Sequence, residues 1–336
     1  MLTVICETPG TLRAEQRERP MRGEGEVLVR IKRVGVCGTD LHIFTGNQPF
    51  LQYPRVMGHE LSGVVEEAVP GGRLAVGDVV YVMPYLSCGT CIACRQGKTN
   101  CCVNIQVLGV HRDGGLTEFL SRPEANVHRA DGVTLDQAAM VEFLAIGAHA
   151  VRRGDIQPGQ RVLVVGAGPI GMAAMIFARL RGAVVTAIDG RQDRLDFCTR
   201  ELGVAHAVAL GEGDVAQLSA ATHDEFFDQV YDATGNAKAI ERGFAFVAHG
   251  GTYVLISVVR DTITFSDPEF HKRETTLLGS RNATTEDFET VLTAMRAGHV
   301  PTDALNTHRM ALADVPAQFA QLLDPARGVV KAIVEV

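Results

Sequence analysis

Two hydrophobic patterns divide the chain into a β-rich part and an alternating part. Before residue 86, short runs such as GEVLVRIKRVGV alternate apolar and polar positions with the period of two that is typical of half-buried strands. From 162 to about 280, continuous apolar runs of strand length alternate with stretches of helical spacing. These patterns predict a mainly β region followed by a doubly wound α/β domain with a parallel sheet.

The alternating part is predicted to contain strands separated by helices. Strands are expected near 162–165, 183–188, 205–210, 229–235, 251–257 and 275–280, and helices after the glycine turn at 166–171 and near 192–202, 236–248, 285–298 and 312–323. A β-branched segment, GVVKAIVEV, predicts a final strand that returns to the first region. We therefore expect a first domain at 1–145 with a metal-binding lobe at 85–105, a nucleotide-binding domain at 146–283, and a return to the first domain at 284–336.

The stretch 161–189 carries the signature of dinucleotide binding. A buried strand leads into Gly166-Ala167-Gly168-Pro169-Ile170-Gly171, where the first glycine permits a tight turn, the second lets a pyrophosphate approach the backbone, and the third lets the helix lie close to the sheet. The free N–H groups and the positive dipole end of that helix attract phosphate. Asp189 ends the second strand, where a carboxylate accepts the ribose hydroxyls of NAD and repels the 2′-phosphate of NADP. Arg191 and Arg194 follow closely and weaken this repulsion.

Composition narrows the class of protein. The length of 336 residues suggests two domains, and a composition of 46% hydrophobic and 21% charged residues is typical of a globular protein. The net charge of −7 argues against nucleic acid as a partner. The segment MLTVICETPG lacks the pattern of a signal peptide, and we expect a cytoplasmic protein without a membrane span. In that compartment the eight cysteines stay reduced, so clustered cysteines indicate metal binding before disulfides.

Four cysteines have the spacing of a metal site. Cys88, Cys91 and Cys94 are each three residues apart and Cys102 follows eight residues later, so one loop can direct four sulfurs at one point. Four thiolates without histidine are typical of a closed structural zinc site. An iron–sulfur cluster is the alternative, although this segment lacks the Cys-Pro ending of the ferredoxin pattern. Cys101 competes with Cys102 for the fourth position.

A second group of potential ligands is scattered along the chain. Cys37 lies in GVCGTDLH, His59 and Glu60 lie in MGHE, and Glu142 lies in MVEFLAIGAHA. Three protein ligands and one open position are typical of a catalytic zinc site. Spacing alone does not distinguish these residues from cysteine and histidine side chains that pack in a core.

Together these segments resemble the zinc-dependent medium-chain dehydrogenases, the family of alcohol, sorbitol and threonine dehydrogenases. The resemblance covers essentially the whole chain and is carried by GVCGTDLH, GHELSG, the four-cysteine segment, GAGPIG and YDATG. The segments GNQPF, YPRVMGHE, TNCC, GVHRDGG and SDPEFHKRETTLLGSRNAT are more similar to the galactonate oxidoreductases, which oxidise a secondary alcohol of a sugar acid. The resemblance implies a GroES-like β domain and a Rossmann domain, with NAD and two zinc ions as cofactors.

The resemblance assigns the catalytic zinc to Cys37, His59 and a glutamate. Glu60 and Glu142 share that role in sorbitol-type relatives, and the sequence leaves open which of them binds the metal. Phe143 stands where relatives usually have a proline after the second glutamate.

The resemblance also assigns a proton path and completes the structural zinc site. It implies that Thr39 and His42 carry the proton of the substrate to solvent, because a hydroxyl beside the metal and a surface imidazole form a path out of a dry site. At the structural site it favours Cys102 over Cys101.

The remaining assignments concern the cofactor and the substrate. Arg194, Thr234 in YDATG and Arg281 fall where the family contacts the cofactor. Arg281 also lies where relatives approach the substrate, with Lys272 and Arg273 upstream, and any of these cations suits a carboxylate. The implied reaction is hydride transfer from a secondary alcohol of an aldonate such as L-galactonate to NAD, by a homodimer or homotetramer. A polyol or threonine dehydrogenase is one alternative, and a protein that keeps the fold and cofactor without turnover is the other.

Overall fold

The computed structural model describes residues 1–48 and 51–336, so Pro49 and Phe50 of the GNQPF segment lie outside the described residues. Within the described ranges, no helix combines the length and the apolar character that crossing a membrane requires.

The chain forms two compact units. The first unit contains residues 1–142, 292–298 and 302–336, and the second unit contains residues 143–291 and 299–301. The main borders therefore follow Glu142 and Val291, whereas the sequence prediction placed them after residues 145 and 283.

Strands and helices cover most of the described residues. The strands are β1 (Leu2–Thr8), β2 (Thr11–Gln16), β3 (Glu26–Val36), β4 (Glu60–Glu67), β5 (Val79–Val82), β6 (Tyr85–Leu86), β7 (Gln106–Val107), β8 (Phe119–Pro123), β9 (Val127–Arg129), β10 (Arg161–Val165), β11 (Val184–Asp189), β12 (His206–Ala209), β13 (Phe227–Asp232), β14 (Val247–Leu255), β15 (Thr276–Gly279), β16 (Asn306–Ala311) and β17 (Lys331–Glu335). The α-helices are α1 (Gly38–Phe44), α2 (Ile92–Arg95), α3 (Leu135–Gly154), α4 (Pro169–Leu180), α5 (Gln192–Leu202), α6 (Asp214–Ala220), α7 (Ala237–Gly243), α8 (Asp267–Lys272), α9 (Thr285–Arg296), α10 (Thr302–Leu305) and α11 (Val315–Gln318).

The second unit is built on a six-stranded parallel sheet in the order β12-β11-β10-β13-β14-β15. Numbered from β10, this is the order 3-2-1-4-5-6 of the Rossmann fold, so the predicted α/β class is confirmed. The strand order reverses between β10 and β13. The carboxyl ends of these two strands therefore border the crevice in which such sheets bind their ligands.

Two predicted helices differ from the structure. The helix expected at 236–248 ends at Gly243, and β14 begins at Val247 instead of near 251. Phe246 and Val247 are both buried in the core of the sheet, and the tighter 3₁₀ turn at Phe244–Phe246 lets both reach it. The helix expected at 312–323 is only the four-residue α11 between two 3₁₀ turns, because Pro316 has no N–H to continue the preceding turn.

The first unit depends on β3, which pairs with strands on both sides. β4 runs antiparallel along one side, and on the other side β8 pairs with the first half of β3 while β17 pairs with the second half. Val27, Val29 and Ile31 of β3 lie in the core of this unit. The register sets Ala332 opposite Val36, so β17 places the residues from 331 onward beside the end of β3.

A buried charge cluster joins α3 to α9 within the second unit. Asp287 accepts a hydrogen bond from Nε of Arg152 at 2.7 Å, pairs with Nδ1 of His149 at 2.8 Å, and caps α9 through Thr284. Burial acts to raise the pKa of Asp287, but the hydrogen bonds from His149 and Arg152 outweigh it and hold that pKa well below its usual range. The ionised carboxylate therefore stabilises the folded state.

We predict that Asp287→Asn lowers the free energy of unfolding by about 3 kcal/mol at pH 7, because it removes the buried carboxylate that pairs with the guanidinium of Arg152. Since the folded-state pKa of Asp287 is depressed, its contribution is present above the unfolded-state pKa of about 3.9 and is lost as pH falls below it. Urea unfolding between neutral and acidic pH measures the difference between variant and wild type. Glu286→Gln is the control, because Glu286 is the exposed partner of Arg152. A variant no less stable than this control would contradict the prediction.

Candidate active site

One buried carboxylate fixes the two segments that carry the first metal ligands. Asp40 lies in the first turn of α1, and its Oδ2 accepts a hydrogen bond from the N–H of Cys37 at 2.9 Å. Its Oδ1 accepts one from the N–H of Gly58 at 3.1 Å. Asp40 therefore ties the residue that follows β3 to the turn that precedes His59.

The structure brings three of the predicted catalytic ligands together. The sulfur of Cys37, a ring nitrogen of His59 and a carboxylate oxygen of Glu60 all lie within 4.8 Å of one another. Nδ1 of His59 is buried, lies 3.9 Å from Asp40, and has no hydrogen-bond partner among the described residues. Burial acts to lower the pKa of His59, but the negative charges of Cys37 and Asp40 hold it well above its usual value. A thiol, an imidazole and a carboxylate in this arrangement fit zinc, which would take the place of the proton.

Glu60 is held by Lys331, a residue that the sequence analysis did not single out. The two side chains are 0% and 1% exposed, and Nζ of Lys331 lies 2.7 Å from both carboxylate oxygens of Glu60. Nζ also donates to the carbonyl oxygen of Val36 at 3.1 Å. A lone lysine within the apolar run GVVKAIVEV is the signal that would have identified this position, because lysine is almost never fully buried unless it is paired.

The pairing across the sheet depends on a glycine. Lys331 begins β17 and Glu60 begins β4, and the two strands flank β3, on which Gly35 lies opposite Glu60. A Cβ at position 35 would lie 2.1 Å from Oε2 of Glu60. The missing side chain on the middle strand therefore leaves the space in which lysine and glutamate meet.

Glu142 lies next to this group on α3. It is buried, the hydroxyl of Tyr85 donates to its Oε1, and burial raises the pKa of its carboxyl group. It is not among the described residues whose ligand atoms lie within 4.8 Å of one another at this site. The helix continues without interruption through Glu142 and Phe143, so the glutamate projects from a helix.

Thr39 and His42 share one face of α1. They are three residues apart, and Thr39 is half-buried while His42 is exposed. The N–H of Cys37 donates to the side chain of Asp40, and this contact caps the start of the helix. Thr39 lies two residues after Cys37, and His42 lies one turn further along the helix in contact with solvent.

The four predicted zinc ligands of the lobe also converge. The sulfurs of Cys88, Cys91, Cys94 and Cys102 lie within 4.8 Å of one another, and all four are free thiols. Hydrogen bonds from the backbone of Thr90 and Cys91 lower the pKa of the Cys88 thiol to about 5, which favours the thiolate that zinc binds. Cys101 is exposed and outside this group, whereas Cys102 is buried. Four converging sulfurs fit a tetrahedral structural zinc.

The glycine turn of the second unit has the geometry that the sequence predicts. Gly166 has a φ of 97°, and a Cβ on Gly171 would lie 1.9 Å from the carbonyl oxygen of Gly166, so both positions require glycine. Gly168 caps α4, with Pro169 and Ile170 in its first turn, and a Cβ on Gly168 would meet no atom within 4 Å. The open space lies at the helix N-terminus, where a pyrophosphate is favoured.

Asp189, Arg194 and Thr234, which the sequence predicts to bind the cofactor, lie around this glycine turn. Asp189 accepts hydrogen bonds from the N–H of Ala167 at 2.6 Å and of Arg191 at 2.8 Å, and its oxygens keep acceptor capacity for ribose hydroxyls. Arg194 donates to the carbonyl oxygen of Ala167, and Thr234 lies beside Gly166.

Thr234 is held by a residue that the sequence analysis missed. The carboxylate of Asp232, at the end of β13, accepts hydrogen bonds from the hydroxyls of Thr234 and Ser257. Burial raises the pKa of Asp232. An acidic residue at the end of an apolar strand was the available signal.

The three candidate cations for a substrate carboxylate lie at different ends of β15. Lys272 precedes this strand on α8, is 63% exposed and pairs with Glu269. Arg273 donates to the carbonyl oxygens of Ala245 and Val247. Arg281 follows the carboxyl end of β15, the end of a parallel sheet at which ligands bind. This placement argues against Lys272 as a substrate residue, since it lies at the amino end of the strand.

Both units are similar to known proteins. Residues 23–132 match the model of the alcohol dehydrogenase GroES-like domain, and residues 169–297 match the model of the zinc-binding dehydrogenases. The chain is 44% identical to L-galactonate-5-dehydrogenase of Escherichia coli over 99% of this chain and 98% of that protein. It is 30% identical to sorbitol dehydrogenase of Halalkalibacterium halodurans over 91% of this chain and 90% of that protein. A solved structure of a short chain alcohol dehydrogenase of Escherichia coli with NADH is 29% identical, with a TM-score of 0.93 over 100% of this chain and 99% of that chain.

We predict that Cys91→Ser releases one of two zinc ions per chain and lowers the melting temperature, because a closed structural site contributes folding free energy. Elemental analysis and thermal unfolding of the purified proteins measure both effects. Cys101→Ser is the matched control, since Cys101 is exposed outside the four-sulfur group. If Cys91→Ser keeps two zinc ions and the wild-type melting temperature, the lobe is not a zinc site.

Proposed function

The chain belongs to the zinc-binding alcohol dehydrogenase family, and we propose that it oxidises a secondary alcohol of a sugar acid, such as L-galactonate, by hydride transfer to NAD. The similarity to L-galactonate-5-dehydrogenase along the whole chain carries this substrate class. A polyol is the second candidate substrate, because the chain is also similar to a sorbitol dehydrogenase over most of its length. We further propose that the protein acts in the cytoplasm as a homodimer or homotetramer.

Two zinc ions are part of this proposal. Cys37 and His59, with Glu60 or Glu142, would hold the catalytic ion, and the four lobe cysteines would hold the structural ion. When bound, zinc supplies Lewis-acid chemistry and NAD accepts the hydride. The thiol of Cys37 must be deprotonated and His59 must be neutral for binding, so metal binding releases protons.

The proton of the substrate alcohol leaves through α1 in this proposal. Oγ1 of half-buried Thr39 would accept this proton as its own hydroxyl proton leaves, by way of the ribose hydroxyls of NAD, for a ring nitrogen of exposed His42, which would release it to water. The shared face of α1 supports this path, because side chains three residues apart on a helix are neighbours.

The second unit would bind NAD through its glycine turn. N–H groups at the start of α4 would bind the pyrophosphate, and Asp189 would accept the ribose hydroxyls. Arg194, Thr234 and Arg281 would complete the cofactor site.

Arg281 is the cation that we propose for the carboxylate of the substrate. Its position after the carboxyl end of β15 supports this role, and a guanidinium can bind a carboxylate with two hydrogen bonds. A carboxylate that is left unpaired in a dry site costs several kcal/mol.

We predict that the wild-type enzyme prefers NAD to NADP. Asp189→Asn should narrow this preference by at least about tenfold, because it removes both the charge-assisted hydrogen bond to the ribose hydroxyls of NAD and the repulsion of the 2′-phosphate of NADP. The ratio of kcat/KM for the two cofactors, read from NADH and NADPH absorbance, measures the change. Asparagine can still accept the N–H of Ala167 or Arg191, so the turn is expected to persist. Equal efficiency of the wild type with both cofactors would contradict the assignment.

We predict that the wild type oxidises an aldonate such as L-galactonate more efficiently than the matching hexitol, and that Arg281→Ala lowers kcat/KM for the acid by more than about tenfold. The neutral hexitol carries no carboxylate, so its kcat/KM should change much less. Steady-state kinetics with both substrates measure the difference.

Lys272→Ala is the control for the Arg281 experiment, because it removes an exposed cation from the other end of β15. It should leave the ratio of acid to hexitol unchanged. An equal loss for both substrates in Arg281→Ala would place the arginine at the cofactor, and a wild type that prefers the hexitol would make the protein a polyol dehydrogenase.

A further inference from the structure

Two arginines follow Asp189 closely, and an arginine at this place is the group that binds the 2′-phosphate in Rossmann domains that use NADP. The N–H of Arg191 donates to Oδ1 of Asp189 at 2.8 Å, so Arg191 begins beside the carboxylate that we propose for the ribose hydroxyls. The preference for NAD therefore depends on what the arginine side chains bind, as well as on the charge of Asp189.

The guanidinium of Arg191 is held by Asp193. Its Nε donates to Oδ1 of Asp193 at 3.1 Å, and its Nη2 donates to Oδ2 at 2.6 Å. Two hydrogen bonds between a guanidinium and a carboxylate are the arrangement that an arginine also forms with a phosphate. The carboxylate of Asp193 thus occupies, on Arg191, the same edge that a phosphate could use.

The ionisation of both partners agrees with this contact. The hydrogen bonds from Arg191 hold the pKa of Asp193 below its usual value, and the same bonds hold the pKa of Arg191 above its usual value. Both groups are therefore charged at neutral pH, and the negative charge of Asp193 is present whenever a cofactor binds.

Arg194, the second arginine, is bound to the glycine turn. Its Nη1 donates to the carbonyl oxygen of Ala167 at 3.3 Å. Arg191 is therefore the arginine whose side chain is paired with a neighbouring acid on α5.

We infer that Asp193 is a positioning residue that sets the cofactor preference, because it withholds the guanidinium of Arg191 from the 2′-phosphate of NADP. The inference rests on the cofactor site proposed above. Asp189 repels the phosphate directly, whereas Asp193 occupies the cation that would bind it.

The start of α5 places the two residues for this contact. Arg191 is the N-cap of the helix and Asp193 lies in its first turn, where a carboxylate also interacts favourably with the helix dipole. The turn that sets Arg191 beside Asp189 therefore brings Asp193 within its reach. A 2′-phosphate, with about two negative charges, would have to displace the carboxylate of Asp193 from Arg191.

The inference predicts that removing the charge of Asp193 improves the binding of NADPH. In the Asp189→Asn background, adding Asp193→Asn should lower the ratio of the Kd for NADPH to the Kd for NADH about three- to fivefold, which is the range that an exposed ion pair contributes. Asparagine matches aspartate in size and the Asp193 side chain is 55% exposed, so the fold should persist. The fluorescence of NADH and NADPH bound to the zinc-loaded enzyme without substrate measures both constants.

Variants of Arg191 separate the release of the arginine from the loss of a charge. When Arg191→Met is added, the gain from Asp193→Asn should disappear, because no guanidinium remains at this position to bind the phosphate. Arg191→Met alone should weaken NADPH binding less than about twofold, since Asp193 already holds the arginine. Asp196→Asn is the matched control, because Asp196 is an exposed acid on the same helix that accepts a hydrogen bond from Gln192.

The outcomes separate this inference from the proposed function. If Asp189→Asn leaves the ratio of the two constants unchanged, the proposed cofactor site is wrong and the inference falls with it. If Asp189→Asn narrows the ratio but Asp193→Asn adds no more than Asp196→Asn does, the inference alone is overturned. The same conclusion follows if the gain persists without Arg191, because Asp193 would then act only through its own charge.

Discussion

Buried negative charge is the constraint on which the first unit depends. Three carboxyl groups lie together in its interior beside the half-buried thiol of Cys37, and an unpaired buried ion costs several kcal/mol. Each carboxyl group has a partner: backbone N–H groups for Asp40, an ammonium group for Glu60 and a phenol for Glu142. These partners come from separate segments, so the strand order that unites them is as necessary to the site as the ligands are.

The second unit must leave space for a phosphate group, and the backbone geometry of its glycine turn provides that space. Its turn between β10 and α4 must leave room for a phosphate-sized group and also pack against itself at the contact of Gly171 with Gly166. Both demands fall on main-chain atoms, and only glycine satisfies them. Asp232 then holds Thr234 and Ser257 at the neighbouring strand ends, which fixes the wall of the crevice.

The features that depend only on residues within one short segment could be predicted from the sequence. The glycine turn, the ends of β10 and β11 and the convergence of four sulfurs follow from spacing within one segment, and the structure has them as expected. Lys331 was missed because its role depends on the register of β17 and β3, which no window of sequence contains. The broken helix near Pro316 and the early end of α7 were missed because tertiary packing and a missing N–H override helical spacing. Lys272 and Arg281 looked alike in sequence, and only the direction of β15 separates them.

The contact of Lys331 with Glu60 also orders events in time. Every proposed ligand of both metal sites has been synthesised once the chain reaches Glu142, but Lys331 emerges from the ribosome after the whole second unit. A nascent chain thus holds Glu60 without its counterion, and strand β17 cannot yet pair with β3. Zinc that arrives during translation would meet Glu60 without the ammonium group that binds it in the finished fold. The ion pair beside the proposed catalytic centre therefore forms only after the second unit has been synthesised, whereas the lobe cysteines are contained in one short segment.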